Sequence, residues 1–132
     1  MSPLVTGSFD VKLTPQASDP VEGGATLARL SLAKQFHGEL EATSKGEMIS
    51  ALTSVKGSAV YSAIERVDGT LQGRRGTFVL QHTGIMNRGV PSLVVTVAPD
   101  SGTGELAGLA GTMNIRIESG KHFYDFEYEL HG

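Results

Sequence analysis

The sequence has no cysteine and no tryptophan, and only 5 phenylalanines and 3 tyrosines among its 132 residues. Without cysteine there is no disulfide, no thiolate metal site and no thiol nucleophile. Charge of one sign is also scarce. Eleven Lys and Arg stand against 14 Asp and Glu, for a net charge of −3. The one close basic cluster, Arg74-Arg75, falls short of the basic patch a nucleic-acid binder carries, so no nucleic-acid partner is expected. No apolar run approaches the roughly 20 residues that span a bilayer, so no membrane partner is expected either. The opening MSPLVTGSFDVKL lacks the basic start and apolar stretch of a signal peptide, and a cytoplasmic location is expected.

Several chemistries lack their motifs. The four histidines are scattered, with no HExxH pair or other dense ligand spacing, so no metal is expected. Gly102 and Gly104 are not followed by GKS/T, which argues against a phosphate loop. No GxSxG elbow is present. No cofactor is expected.

What the chain has in quantity is glycine, 17 residues, together with period-two alternation. Glycine at this level in a non-repetitive, moderately apolar chain points to tight turns and strand kinks. In residues 5–13 Phe9, Val11 and Leu13 share one side, and Ser8, Asp10 and Lys12 the other, which reads as a half-buried strand. The following TPQASDPVEGG reads as a loop. Residues 25–36 place Leu30, Leu32 and Phe36 on one face. A helix competes there, since Ala and Leu favour it, but flanking glycines and neighbouring strands favour a strand. Residues 40–52 alternate more weakly, and Gly46 within them suits a kink or bulge.

Further strands are read at 57–67, 75–86, 90–98, 105–118 and 121–130. Asp68-Gly69 is a hairpin signal, because a type I′ turn needs positive φ at both central residues. Further turns are read at His37-Gly38, Lys56-Gly57, Asn87-Arg88-Gly89, 99–104 and Ser119-Gly120. About eight strands joined by short turns, with no crossover helix, predict an all-β fold: one domain over 1–132, a closed antiparallel barrel. A two-sheet sandwich is the alternative. A barrel of this size is either filled by side chains or holds one small ligand. The run at 90–98 is apolar on both faces, which suggests a covered outer face, as in a homo-oligomer.

The stretch SGTGELAGLAGTMNI (101–115) resembles the signature of a bacterial domain family of unknown function with the allene-oxide-cyclase-type barrel. LAKQFHGELEATSKGEM (32–48), AVYSAIERVDGTLQGRRGTFVLQH (59–82) and GKHFYDFEYEL (120–130) match it in the same order. The resemblance covers nearly the whole chain. It implies an eight-stranded barrel with a central cavity, and a distant relation to plant allene oxide cyclases and dirigent proteins. No cyclase catalytic motif matches position by position, so no site residue is carried over, and function from fold alone is analogy.

The residues themselves supply candidates. His82 shares a face with Phe78 and Leu80, and His122 with Tyr124, Phe126 and Tyr128. If those faces point inward, both imidazoles enter the lumen, where His82 would serve as general base. Glu65 lies with Tyr61 and Ala63, opposite Val60, Ser62 and Ile64. The alternation does not decide which side faces in. An inward Glu65 would have a raised pKa through burial and would act as proton donor or base. Tyr61, Phe78, His122, Tyr124 and Phe126 are the candidate ligand contacts. Lys34, on the Leu30 and Leu32 face, would pair with an inward carboxylate or extend out of the barrel end. Glu105 would bond backbone N–H groups of the preceding turn, and Asp125, Glu127 and Glu129 read as a solvated acidic stripe.

Three functions are compatible with this pattern. The first is a module binding a small apolar or amphipathic molecule. The second is a cofactor-independent cyclase or isomerase using His82 and Glu65. The third is a structural protein with a solid interior.

Overall fold

The computed structural model describes residues 3–131. Met1, Ser2 and Gly132, part of the expected single domain, lie outside the described residues. Eight strands follow in order: β1 Leu4–Asp19, β2 Thr26–Gly38, β3 Leu40–Leu52, β4 Ala59–Leu71, β5 Arg74–Asn87, β6 Val90–Val97, β7 Leu109–Glu118 and β8 Lys121–Leu130. Each pairs antiparallel with the next, and β8 pairs back on β1, closing the barrel. The expected all-β closed barrel is what forms, and the sandwich alternative is set aside. A single 3-10 turn at Gly104–Leu106 interrupts the β6–β7 connection.

The structure corrects four local readings. Thr14 to Asp19 is not loop: β1 continues through it, paired with β2 across a register shift between Pro15 and Ala17. Asp68-Gly69 is not the hairpin. Both residues stay in β4, opposite Thr77 and Gly76. The turn falls at Gln72 (φ 47°) and Gly73 (φ 82°), the pair of positive φ values that a type I′ turn requires. Gly69 is there for space, since a methyl group on it would lie 2.3 Å from the Glu41 carbonyl oxygen. Gly46 makes no bulge. Register runs unbroken through it, opposite Leu32 on one side and Glu65 on the other. Finally, residues 105–108 precede β7 rather than belonging to it.

Alternation then sorts the barrel. One side of each strand lines the lumen, and the two ends of the lumen differ. The turns at Gly38–Leu40 and Gln72–Gly73, with the 3-10 turn, surround one end. There Phe36, Leu40, Leu71, Phe78, Leu106 and Phe126 pack without exposure. Phe78 stacks on Phe126 with ring centroids 5.9 Å apart. All three tyrosines stand opposite glycines: Tyr124 opposite Gly7, Tyr61 opposite Gly84, Tyr128 opposite Gly111. The Tyr124 and Tyr61 rings lie over the glycines they face and take up the space a side chain there would need. A methyl group at Gly84 would lie 2.1 Å from the Tyr61 ring.

The outer wall of β6 keeps Val90 and Val94 exposed among the described residues.

Candidate functional site

Midway along the lumen the apolar filling gives way to charge. Lys34 on β2, Glu65 on β4 and His82 on β5 all point inward, with relative exposures of 9%, 0% and 3%. The inward side of β4 is therefore the Tyr61, Ala63, Glu65 side. Cross-strand register brings the three together. Gly46 sits between Leu32 and Glu65, and Ala63 stands opposite His82. A side chain at position 46 would meet the Ile64 carbonyl oxygen at 2.0 Å and Glu65 Cβ at 2.8 Å. Glycine there lets β3 approach Glu65 closely.

Lys34 and His82 share one carboxylate oxygen. Lys34 Nζ donates to Glu65 Oε2 at 2.8 Å, and His82 Nε2 lies 2.6 Å from the same atom. Burial by itself pushes the Glu65 carboxyl up. The His82 hydrogen bond and the Lys34 charge together outweigh it and leave the group below its ordinary 4.5. This corrects the expectation of a raised pKa. Desolvation and a Lys34 partner for an inward carboxylate were foreseen, whereas His82 on the same oxygen was not. Glu65 is thus an anion at neutral pH, and no proton donor. An ionised Glu65 requires hydrogen on His82 Nε2, so in the neutral form of the ring Nδ1 is the acceptor. Lys34 Nζ also lies 4.9 Å from the Phe9 ring centroid and 5.7 Å from that of Phe36, favourable cation–π positions. Two buried polar atoms make no hydrogen bond among the described residues, Glu65 Oε1 and Ser44 Oγ.

Above this cluster the lumen is hollow. A cavity of about 190 Å³ is walled by apolar side chains such as Phe9, Leu32, Met48 and Ile115, with Lys34 and His82 at its floor. Tyr61 and His122 also line it. His122 packs on Phe9 with centroids 5.2 Å apart. Burial, and next the Glu65 charge, raise the Tyr61 pKa, so its hydroxyl stays protonated and able to donate. The mouth is wide: Leu13 is 45% and Ile117 67% exposed. The wall is also split. β6 and β7 pair only at Val95–Met113 and Thr96–Thr112, so their mouthward halves diverge and Leu93 stands at the lip.

The structure separates the residues singled out from sequence. His82, Glu65 and Lys34 form the charged floor, and Tyr61 and His122 line the cavity. Phe78, Tyr124 and Phe126 instead belong to the solid end. The Tyr124 hydroxyl accepts from Leu40 N at 3.0 Å and donates to the His37 carbonyl at 3.0 Å, which locks the ring. Glu105 bonds a backbone N–H, but that of Arg75 on β5 rather than one of the preceding turn. Asp125 of the acidic stripe is bound by Arg116 at 2.7 Å. Sequence reasoning passed over Ser44 and the apolar lining residues. Their alternation was visible, but their height in the barrel was not. Among the described residues no group of His, Asp and Glu could hold a metal ion, and no helix is long and apolar enough to cross a membrane.

A family model described as "Protein of unknown function (DUF3224)" matches residues 5–128. The chain belongs to this family. A crystal structure of a DUF3224 family protein of unknown function from Shewanella oneidensis MR-1 is 55% identical, with a TM-score of 0.94 over 100% of both chains. No curated protein matches the chain. The family and its barrel are thus established, and the use of the cavity is read from the geometry.

Proposed function

We propose that this barrel is a binding module for one small apolar or amphipathic molecule, held in the open half of the lumen. The observation that supports it is a hollow with apolar walls set directly on a buried charged cluster, the combination expected of a site that takes an apolar body and fixes one polar atom. The size limits the guest. An engineered cavity of about 150 Å³ admits benzene, so about 190 Å³ suits a single ring or a short chain. A cytoplasmic location and a distant kinship with allene-oxide-cyclase-type barrels belong to the same proposal. The kinship is supported by eight antiparallel strands around a half-hollow lumen.

A second reading, cofactor-independent isomerisation or cyclisation, is favoured by the Glu65–His82 hydrogen bond. A carboxylate that orients an imidazole leaves the other ring nitrogen free to take a proton. Binding comes first in either case. Native mass spectrometry of protein purified from its own host is expected to find a retained small molecule. In a titration with benzamide followed by NMR, shifts are expected at Met48, Ala63 and His122, and Ala63→Phe should abolish them. Shifts confined to the outer wall, or none in a folded protein with either benzamide or benzoate, would end the binding reading.

A further inference from the structure

We propose that the guest is a one-ring monoanion, such as an aromatic carboxylate, whose charged oxygen lies between Lys34 and His82, and that His82 takes up one proton as it binds. This rests on the reading of the cavity as a binding site. The floor is rich in donors. Of the three ammonium hydrogens of Lys34, one is used on Glu65 Oε2. His82 spends Nε2 on the same oxygen, and its Nδ1 makes no hydrogen bond among the described residues. Both residues line the hollow. A guest that satisfies Lys34 must therefore bring acceptor atoms, and a carboxylate or phenolate brings the strongest.

Charge balance then selects the protonation state. Lys34 and Glu65 already neutralise one another. An added anion in an apolar enclosure needs its own positive partner. Groups of several elements face the position: Lys34 from β2, Glu65 and Tyr61 from β4, and His122 from β8. From β3, β6 and β7 the facing side chains are Met48, Leu93 and Ile115, which carry no charge. Tyr61 cannot become positive. His82 is the group that can gain a proton while already holding a carboxylate behind it, because Glu65 Oε2 would stabilise the imidazolium. The filled site is then Lys⁺, Glu⁻, imidazolium⁺ and guest⁻, with no net charge. No covalent bond forms or breaks; one proton moves from solvent to His82.

The probes are benzoate and its neutral isostere benzamide, measured by isothermal titration calorimetry with the intact protein. Benzoate is expected to bind at least tenfold tighter than benzamide near neutral pH. On the alkaline side its affinity should fall about tenfold per pH unit, the signature of one proton taken up per ligand. Titration in two buffers of different ionisation enthalpy should count that proton directly in the wild-type protein, whether or not any variant folds. His82→Phe should bring benzoate down to the affinity of benzamide and remove its pH dependence. His37→Ala, on the outer wall, should leave both intact. Equal binding of the two probes without proton uptake would overturn this inference and leave the binding module standing, whereas binding of neither would remove both. A pH dependence lost in His122→Phe but kept in His82→Phe would overturn the assignment to His82.

Discussion

The two ends of this barrel are built from the same strands by the same alternation, yet one is solid and the other hollow. At the solid end the inward positions carry Phe36, Leu40, Phe78 and Phe126, all buried, and Tyr124 bonds across to the Gly38–Leu40 turn. At the hollow end the inward positions carry smaller or more peripheral groups, such as Ala63, Met48 and Leu13, and the β6–β7 seam splays. Between them lies the charged cluster. Apolar packing is thus concentrated at one end, and the other keeps an apolar hollow. On the proposed binding reading, the contrast agrees with the general finding that binding regions are drawn from the less stable parts of a fold.

That contrast can be broken most directly by truncation. Phe36→Ala in the solid end should cost about 3–5 kcal/mol in urea unfolding, whereas Leu13→Ala at the mouth should cost less than about 1 kcal/mol. Comparable losses at both ends would mean the hollow collapses onto Leu13 in solution. Next comes the boundary between the ends. Lys34→Met leaves a buried carboxylate with its charge partner gone, and about 3 kcal/mol should be lost at pH 7. The pH dependence carries the sign. Because the folded Glu65 pKa is lowered, its contribution in the wild type is present above 4.5 and disappears as pH falls through the folded value. Without Lys34 the folded Glu65 value rises, so the deficit of Lys34→Met should shrink as the pH of the unfolding experiment is lowered from that raised value and should be gone below the wild-type folded value. A pH-independent deficit would mean that the ion pair does not set the stability of this layer. The smallest effect sharpens the picture of the solid end. Tyr124→Phe removes the acceptor for Leu40 N, and an orphaned buried donor should cost about 1–2 kcal/mol, with faster amide exchange at Leu40.

Much of this was legible in the residues. Phe9, Val11 and Leu13 alternate in β1, and His122 to Leu130 alternate in β8, so these strands could be read directly. The Asn87-Arg88-Gly89 and Ser119-Gly120 turns fell where they were read, at residues with positive φ. Asp68-Gly69 misled because glycine answers two demands, positive φ in a turn and close approach between strands, and the local sequence does not say which one operates. The candidate site was half legible. His82, Glu65, Lys34, Tyr61 and His122 stood out as inward-capable polar residues. Their division from Phe78, Tyr124 and Phe126 did not, since period-two patterning assigns a side but no depth along the barrel.

The sequence by itself determined the eight strands, most of their turns, and the split of each strand into an apolar and a wetted face, because those properties arise between neighbours along the chain. Only the tertiary structure decided that β4 turns Glu65 inward and that Lys34, 31 residues before it, and His82, 17 residues after it, meet on one of its oxygens. Such a meeting depends on the register between strands and on the closure of the sheet. Both are set by packing around the whole barrel rather than by any one strand.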